Sequence, residues 1–90
     1  MQDMAQHKCY LCGASGDLVV HHALHGYANR RKADQDALVV WLCPVPCHQD
    51  LHDKGIGDDK IMADAQRAWM KAYRKTVDDF IDRYGKAYDI

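Results

Sequence analysis

Leu38-Val39-Val40-Trp41-Leu42-Cys43-Pro44-Val45-Pro46-Cys47-His48-Gln49-Asp50-Leu51-His52 is the stretch on which the reading of this chain turns. Its first five residues are β-branched, aromatic or aliphatic and, with Cys43, read as a strand. Pro44 and Pro46 end that strand, because proline removes a ladder donor yet fits the first turn of a helix. Cys47 to Lys54 then reads as a short helix, closed by Gly55 in the left-handed position past its end. His48 and His52, four residues apart, fall on one helix face, where they can grip one ion.

Working upstream, Leu18-Val19-Val20-His21-His22 is a second short strand that ends on paired histidines. Alternation along a strand sends His21 and His22 to opposite sides, so one can join a metal while the other stands beside a substrate. Ala14 to Asp17 is turn chemistry. Cys9-Tyr10-Leu11-Cys12-Gly13 reads as a zinc knuckle, with Gly13 letting the backbone curl so that amides face the sulfurs. Between the strands, His25 to Asp36 reads as a polar loop carrying Gly26, Asn29 and the basic run Arg30-Arg31-Lys32. Strand, loop, strand and helix make a ββα unit.

The two donor types suggest two sites. Thirty residues separate Cys12 from Cys43, enough for a hairpin to return and bring Cys9, Cys12, Cys43 and Cys47 around one structural zinc. Two disulfides are the other use of four cysteines, and Cys47 has its own alternative as a packed thiol with another group completing the site. Imidazoles suit a metal with open positions, and a third histidine would leave room for water and a phosphate oxygen. A neutral-range imidazole beside it can serve as general base. A lone histidine is more often a surface or core residue, and His7 and His25 are read that way.

Ninety residues make one domain, near the size at which a hydrophobic core alone is a thin source of stability, so a staple is expected. After Gly57, Asp58 is a candidate N-cap for a helix with Ile61, Ala65, Ala68/Trp69, Ala72/Tyr73 and Val77 at helical spacing. Thr76 to Asp79 resembles a second cap, leading into Phe80, Ile81 and Tyr84 as far as Gly85. Residues 58–85 are thus a helical extension to the motif-bearing residues 9–54. Their aromatic stripe reads as packing, and Lys60, Arg67, Lys71, Arg74 and Lys75 as a solvated face. The formal net charge of −1 does not favour a strongly basic nucleic-acid binder. All thirteen acidic residues are Asp, which removes Glu as a catalytic acid or base. Met1 to Lys8 is a polar lead-in without the apolar core of a signal peptide, and no run reaches membrane-spanning length. The expectation is therefore a reduced, cytoplasmic chain with no membrane partner.

With these pieces in place, the chain resembles the HNH (ββα-metal) nuclease superfamily, most closely its small phage-encoded members with a knuckle pair on each side of the active hairpin. The resemblance rests on Cys9-Tyr10-Leu11-Cys12-Gly13, Leu18 to His22, Arg30-Arg31-Lys32, Leu42-Cys43-Pro44, Cys47-His48-Gln49-Asp50-Leu51-His52, and less specifically Phe80 with Gly85-Lys86. Its motif-bearing part covers residues 9 to 54, about half the chain. It implies an α+β fold: a small zinc-stapled ββα-metal (treble-clef) core followed by C-terminal helices. It also implies that His21, His48 and His52 hold a catalytic divalent ion (Mg²⁺, Mn²⁺, Ni²⁺ or Zn²⁺) and that His22 is the general base. Arg30, Arg31 and Lys32 would contact DNA phosphates, and the reaction would be phosphodiester hydrolysis in the cytoplasm of a bacterial host, by a phage or prophage protein. A homodimer or a targeting partner is a further expectation, with the helices near Lys60 to Lys75 lying on the duplex or on a second subunit. The chain departs from the family in two places. Leu38 stands where the family's Asn normally begins the second strand, and Cys43 and Cys47 have three residues between them where two are usual. A non-catalytic, zinc-stapled DNA- or protein-binding module on the same frame is the competing reading. A thiol-redox role for Cys9 and Cys12 lacks the strand and helix expected around that motif.

Overall fold

Val19–His22 (β1) and Val39–Leu42 (β2) pair antiparallel in the computed structural model, which describes residues 1–88. His21 lies opposite Val40 and His22 opposite Val39. The pleat therefore puts His21 on the buried face with Val40 and Leu42, and turns Val20 and His22 outward. The sheet has only these two strands among the described residues, and helices cover it. The result is a small α+β fold whose core joins Leu24, Leu38, Val40 and Leu42 to Leu51, Ile61, Trp69 and Phe80.

The segment between the strands is not a loop. Tyr27–Gln35 is a helix, α1, although only Ala33 on it is buried. Its sequence is too polar to show an apolar stripe, and distant contacts supply what the stripe does not. Asn29 Nδ2 donates to the carbonyl of Tyr84 (3.1 Å), and Lys32 Nζ donates to the carbonyl of Arg83 (2.6 Å). At its C-terminal end the Leu38 amide donates to the Ala33 carbonyl (2.8 Å), while the Leu38 carbonyl accepts from Ala23 (3.0 Å). Leu38, 1% exposed, thereby pins both ends of the connection with its backbone and fills the core with its side chain.

The extra residue between Cys43 and Cys47 is absorbed by a wide turn, Pro44–His48, in which the His48 amide donates to the Cys43 carbonyl (2.9 Å). The regular helix α2 begins only at Gln49 and runs to Lys54, two residues later than the expected start at Cys47, with Gly55 left-handed after it. His48 already has helical backbone angles (φ −66°, ψ −42°), so its four-residue relation to His52 survives.

Helix α3 spans Asp58–Tyr73 and buries Ile61, Ala65, Gln66 and Trp69. Its N-cap is Gly57, not Asp58, which occupies the first turn. Gly57 has φ 85°, and a Cβ there would stand 2.6 Å from Leu11 Cδ1, so glycine is what lets the knuckle rest on the start of α3. Buried Gln66 accepts from the Tyr88 amide (2.6 Å). Helix α4, Val77–Tyr84, begins with the expected cap: Thr76 and Asp79 form a reciprocal capping box. Phe80 packs on Trp69 with ring centroids 5.6 Å apart. The lead-in is also more ordered than its polarity suggests. A 3₁₀ turn at Met4–Gln6 lets the Met4 carbonyl accept from Trp41 Nε1, while Gln2 Oε1 accepts from the Trp41 amide (both 2.8 Å). No described helix is long and apolar enough to cross a membrane.

Candidate metal centres

The knuckle turn and the end of β2 bring the four sulfurs of Cys9, Cys12, Cys43 and Cys47 within 4.8 Å of one another. Four thiolates at about 2.3 Å from a tetrahedral zinc stand about 3.8 Å apart. Cys12 Sγ and Cys43 Sγ are separated by 3.8 Å, so the cluster already has the dimensions of a zinc site. Burial opposes ionisation of Cys9, yet the amides of Cys12, Cys43 and Leu11 and the Cys12 side chain outweigh it and lower that thiol to about 6. Burial and the neighbouring sulfurs push Cys47 the other way. The fold thus favours the Cys9 thiolate, whereas Cys47 needs a cation beside it, as a structural metal such as zinc provides. The cysteines are free thiols, so the disulfide alternative is not the one adopted.

The histidines form a separate cluster. His21 comes from β1, His48 from the wide turn and His52 from α2, and one nitrogen from each lies within 4.8 Å of the others. His48 Nε2 and His52 Nε2 are 3.0 Å apart. His21 is 5% exposed, and its Nε2 is buried without a hydrogen-bond partner among the described residues. A buried lone pair left unmatched is costly unless something electropositive meets it. Burial, reinforced by His25 and His48, lowers His21 to about 4, so at neutral pH it is an unprotonated imidazole suited to a metal. The donor set fits a borderline divalent cation.

These three rings open on a cavity of about 230 Å³ that His22, His25, Val20, Gly26 and Arg30 also line. His22 is less buried than His21, as strand alternation predicts, yet it lines the same cavity. Its Nε2 meets Asp34 Oδ1 at 2.7 Å. A carboxylate can only accept, so in a neutral ring the proton sits on Nε2 and the lone pair on Nδ1. His25 makes the same kind of pair with Asp58, at 2.8 and 2.9 Å to the two oxygens, and its ring stands 6.0 Å from that of His21.

All eight metal-capable residues singled out in the sequence are therefore gathered as two sets, four sulfurs and three imidazoles, with His22 beside the second. Arg30 reaches the cavity and Arg31 is exposed on α1, but the Lys32 ammonium is turned away onto Arg83. Asn29 likewise binds Tyr84, not the histidine site. His7 packs edge-on against Trp41 (4.7 Å), as a histidine without a metal role should. His25, set aside with it, belongs to the cavity wall. The partners Asp34 and Asp58 carry no local sequence signal, since they lie 12 and 33 residues from their histidines. The chain matches no protein-family model, no curated protein and no solved structure.

Proposed function

We propose that the protein is a metal-dependent DNA endonuclease of the HNH type, on a ββα-metal, treble-clef frame. The carrying observation is the convergence of three imidazole donors and His22, itself paired with Asp34, on one open cavity apart from the four-cysteine cluster. His21, His48 and His52 would hold the ion. Bound there, a divalent ion supplies Lewis-acid stabilisation of the charge that grows on the scissile phosphate and the leaving 3′ oxygen. His22, its Nε2–H anchored on Asp34, presents a basic Nδ1 that takes the proton from the attacking water. A new P–O bond forms as the P–O3′ bond breaks, leaving a 5′ phosphate and a 3′ oxygen that takes a proton from solvent water to become a hydroxyl. Arg30 at the cavity wall positions a phosphate without reading sequence. Action on DNA in a bacterial cell, from a phage or prophage gene, follows from the same sequence resemblance.

Leu38 favours a second reading, a binding module without chemistry, because it occupies the place of the family's Asn. The backbone of Leu38 nevertheless anchors the connection that the Asn would be expected to orient. Supercoiled-plasmid nicking separates the two readings. Wild type is expected to nick with one or more of Mg²⁺, Mn²⁺, Ni²⁺ and Zn²⁺, and His22→Ala to lose on the order of 10²–10⁴-fold in rate with its fold intact. Failure of wild type with every ion would leave the binding module.

A further inference from the structure

A largely exposed aromatic side chain follows directly on a residue of the histidine cavity wall. Tyr27 opens α1, directly after Gly26, and is 77% exposed. Arg30 and Arg31 follow at three and four residues, which on a helix is the same face. Gly26 and Arg30 both line the cavity, and Tyr27 is the residue next to Gly26. Val20, 48% exposed, adds an apolar surface to the cavity wall. None of this is legible while residues 25–36 are taken for a loop; the helix is what aligns ring and guanidiniums.

Charge decides which DNA such a face suits. Duplex binding through the backbone draws its affinity from several phosphate contacts. This chain carries a net charge of −1, and Lys32 is spent on Arg83. Stacking on an aromatic ring needs no further charge, and is sequence-tolerant because every base has a π-face. It does need a base that is not already stacked in a duplex.

Resting on the nuclease reading of the same cavity, we propose that Tyr27, flanked by Arg30 and Arg31, is a stacking platform for an unpaired base, and that single-stranded DNA is the preferred substrate over duplex. The guanidiniums take the phosphates beside the stacked base, and the adjoining phosphate enters the histidine cavity.

The test is fluorescence-anisotropy binding of a short labelled oligonucleotide, single-stranded and as the duplex of the same sequence, to the zinc-loaded full chain. Wild type should bind the single strand more tightly. Tyr27→Ala should weaken that complex roughly tenfold, the expected loss for one stack, while Tyr27→Phe keeps it and duplex binding is unmoved. The exposed ring makes an unchanged circular dichroism spectrum the expected control. Equal affinity for both DNA forms, or a Tyr27→Ala protein that binds the single strand as wild type does, overturns the platform even if plasmid nicking succeeds. Tyr27-dependent single-strand binding without cleavage would support the platform and sink the nuclease reading instead.

Discussion

The cysteine and histidine clusters draw on the same turn after β2, yet they solve opposite problems. Cys43 and Cys47 turn inward to meet the knuckle, with Cys9 at 3% and Cys43 at 6% exposure. His48, the next residue along, turns the other way to meet His21 across an open cavity. Adjacent residues thus divide a four-sulfur cage, whose donors fill a tetrahedron, from a three-nitrogen one that leaves positions free. A site of the first kind fastens the turn that positions the second. Stability and chemistry should therefore separate on mutation, despite lying one residue apart.

The largest expected effect is on the sulfur side. Cys43→Ser should remove zinc and unfold the domain, since metal binding and folding are one equilibrium in such small domains. Loss of the helical circular dichroism signal together with one equivalent of zinc would show it; a folded, zinc-free variant would break the contrast. On the nitrogen side, His52→Ala should abolish nicking and cut the affinity for the second metal, measured by titration calorimetry, with little change in melting temperature because His52 is exposed. A large thermal loss there would mean that both clusters are structural.

Asp34→Asn probes the support of the base. It should slow nicking by about 10- to 100-fold, the scale on which losing the hydrogen-bonded partner of a metal-site histidine acts, and leave metal content unchanged. Leu38→Asn is the sharpest test of the family departure. An amide introduced at a site 1% exposed should cost about 1–3 kcal/mol in urea unfolding, without raising the nicking rate. A faster nuclease would show that the Leu38 backbone does not replace what the Asn supplies. The smallest effect belongs far from both centres: Thr76→Ala should cost about 1 kcal/mol through the lost helix cap and leave nicking untouched.

Local patterns made much of this legible. The strands show in their β-branched runs, α3 in its periodicity, α4 in its periodicity and cap, and the four cysteines and the His48/His52 pair in their spacing, while the choice of His21 as third donor rests on the family resemblance. What escaped depends on distant pairing. Helix α1 has one buried residue and is held by contacts from Asn29 and Lys32 across more than fifty positions. His25 acquires its place only because Asp58, at the start of α3, reaches back to it. Asp58 itself looked like a cap by position, yet its carboxylate is committed to that histidine while Gly57 takes the capping place. The lead-in gains order from hydrogen bonds to Trp41, a residue 39 positions from Gln2.

The clamp between α1 and α4 bears on how portable this unit is. Asn29 and Lys32 satisfy carbonyls at the end of α4, where a helix otherwise leaves acceptors bare, and Arg83 and Tyr84 both close on Asp36 (2.5 Å each). Residues 9–54 carry every metal-capable side chain in the two clusters, but not the element that keeps α1 wound beside them. Grafted alone into another scaffold, that segment would bring its ligands and lose the wall of its cavity. The boundary of the chemical motif and the boundary of the smallest transplantable piece are therefore different, and the second falls beyond Tyr84.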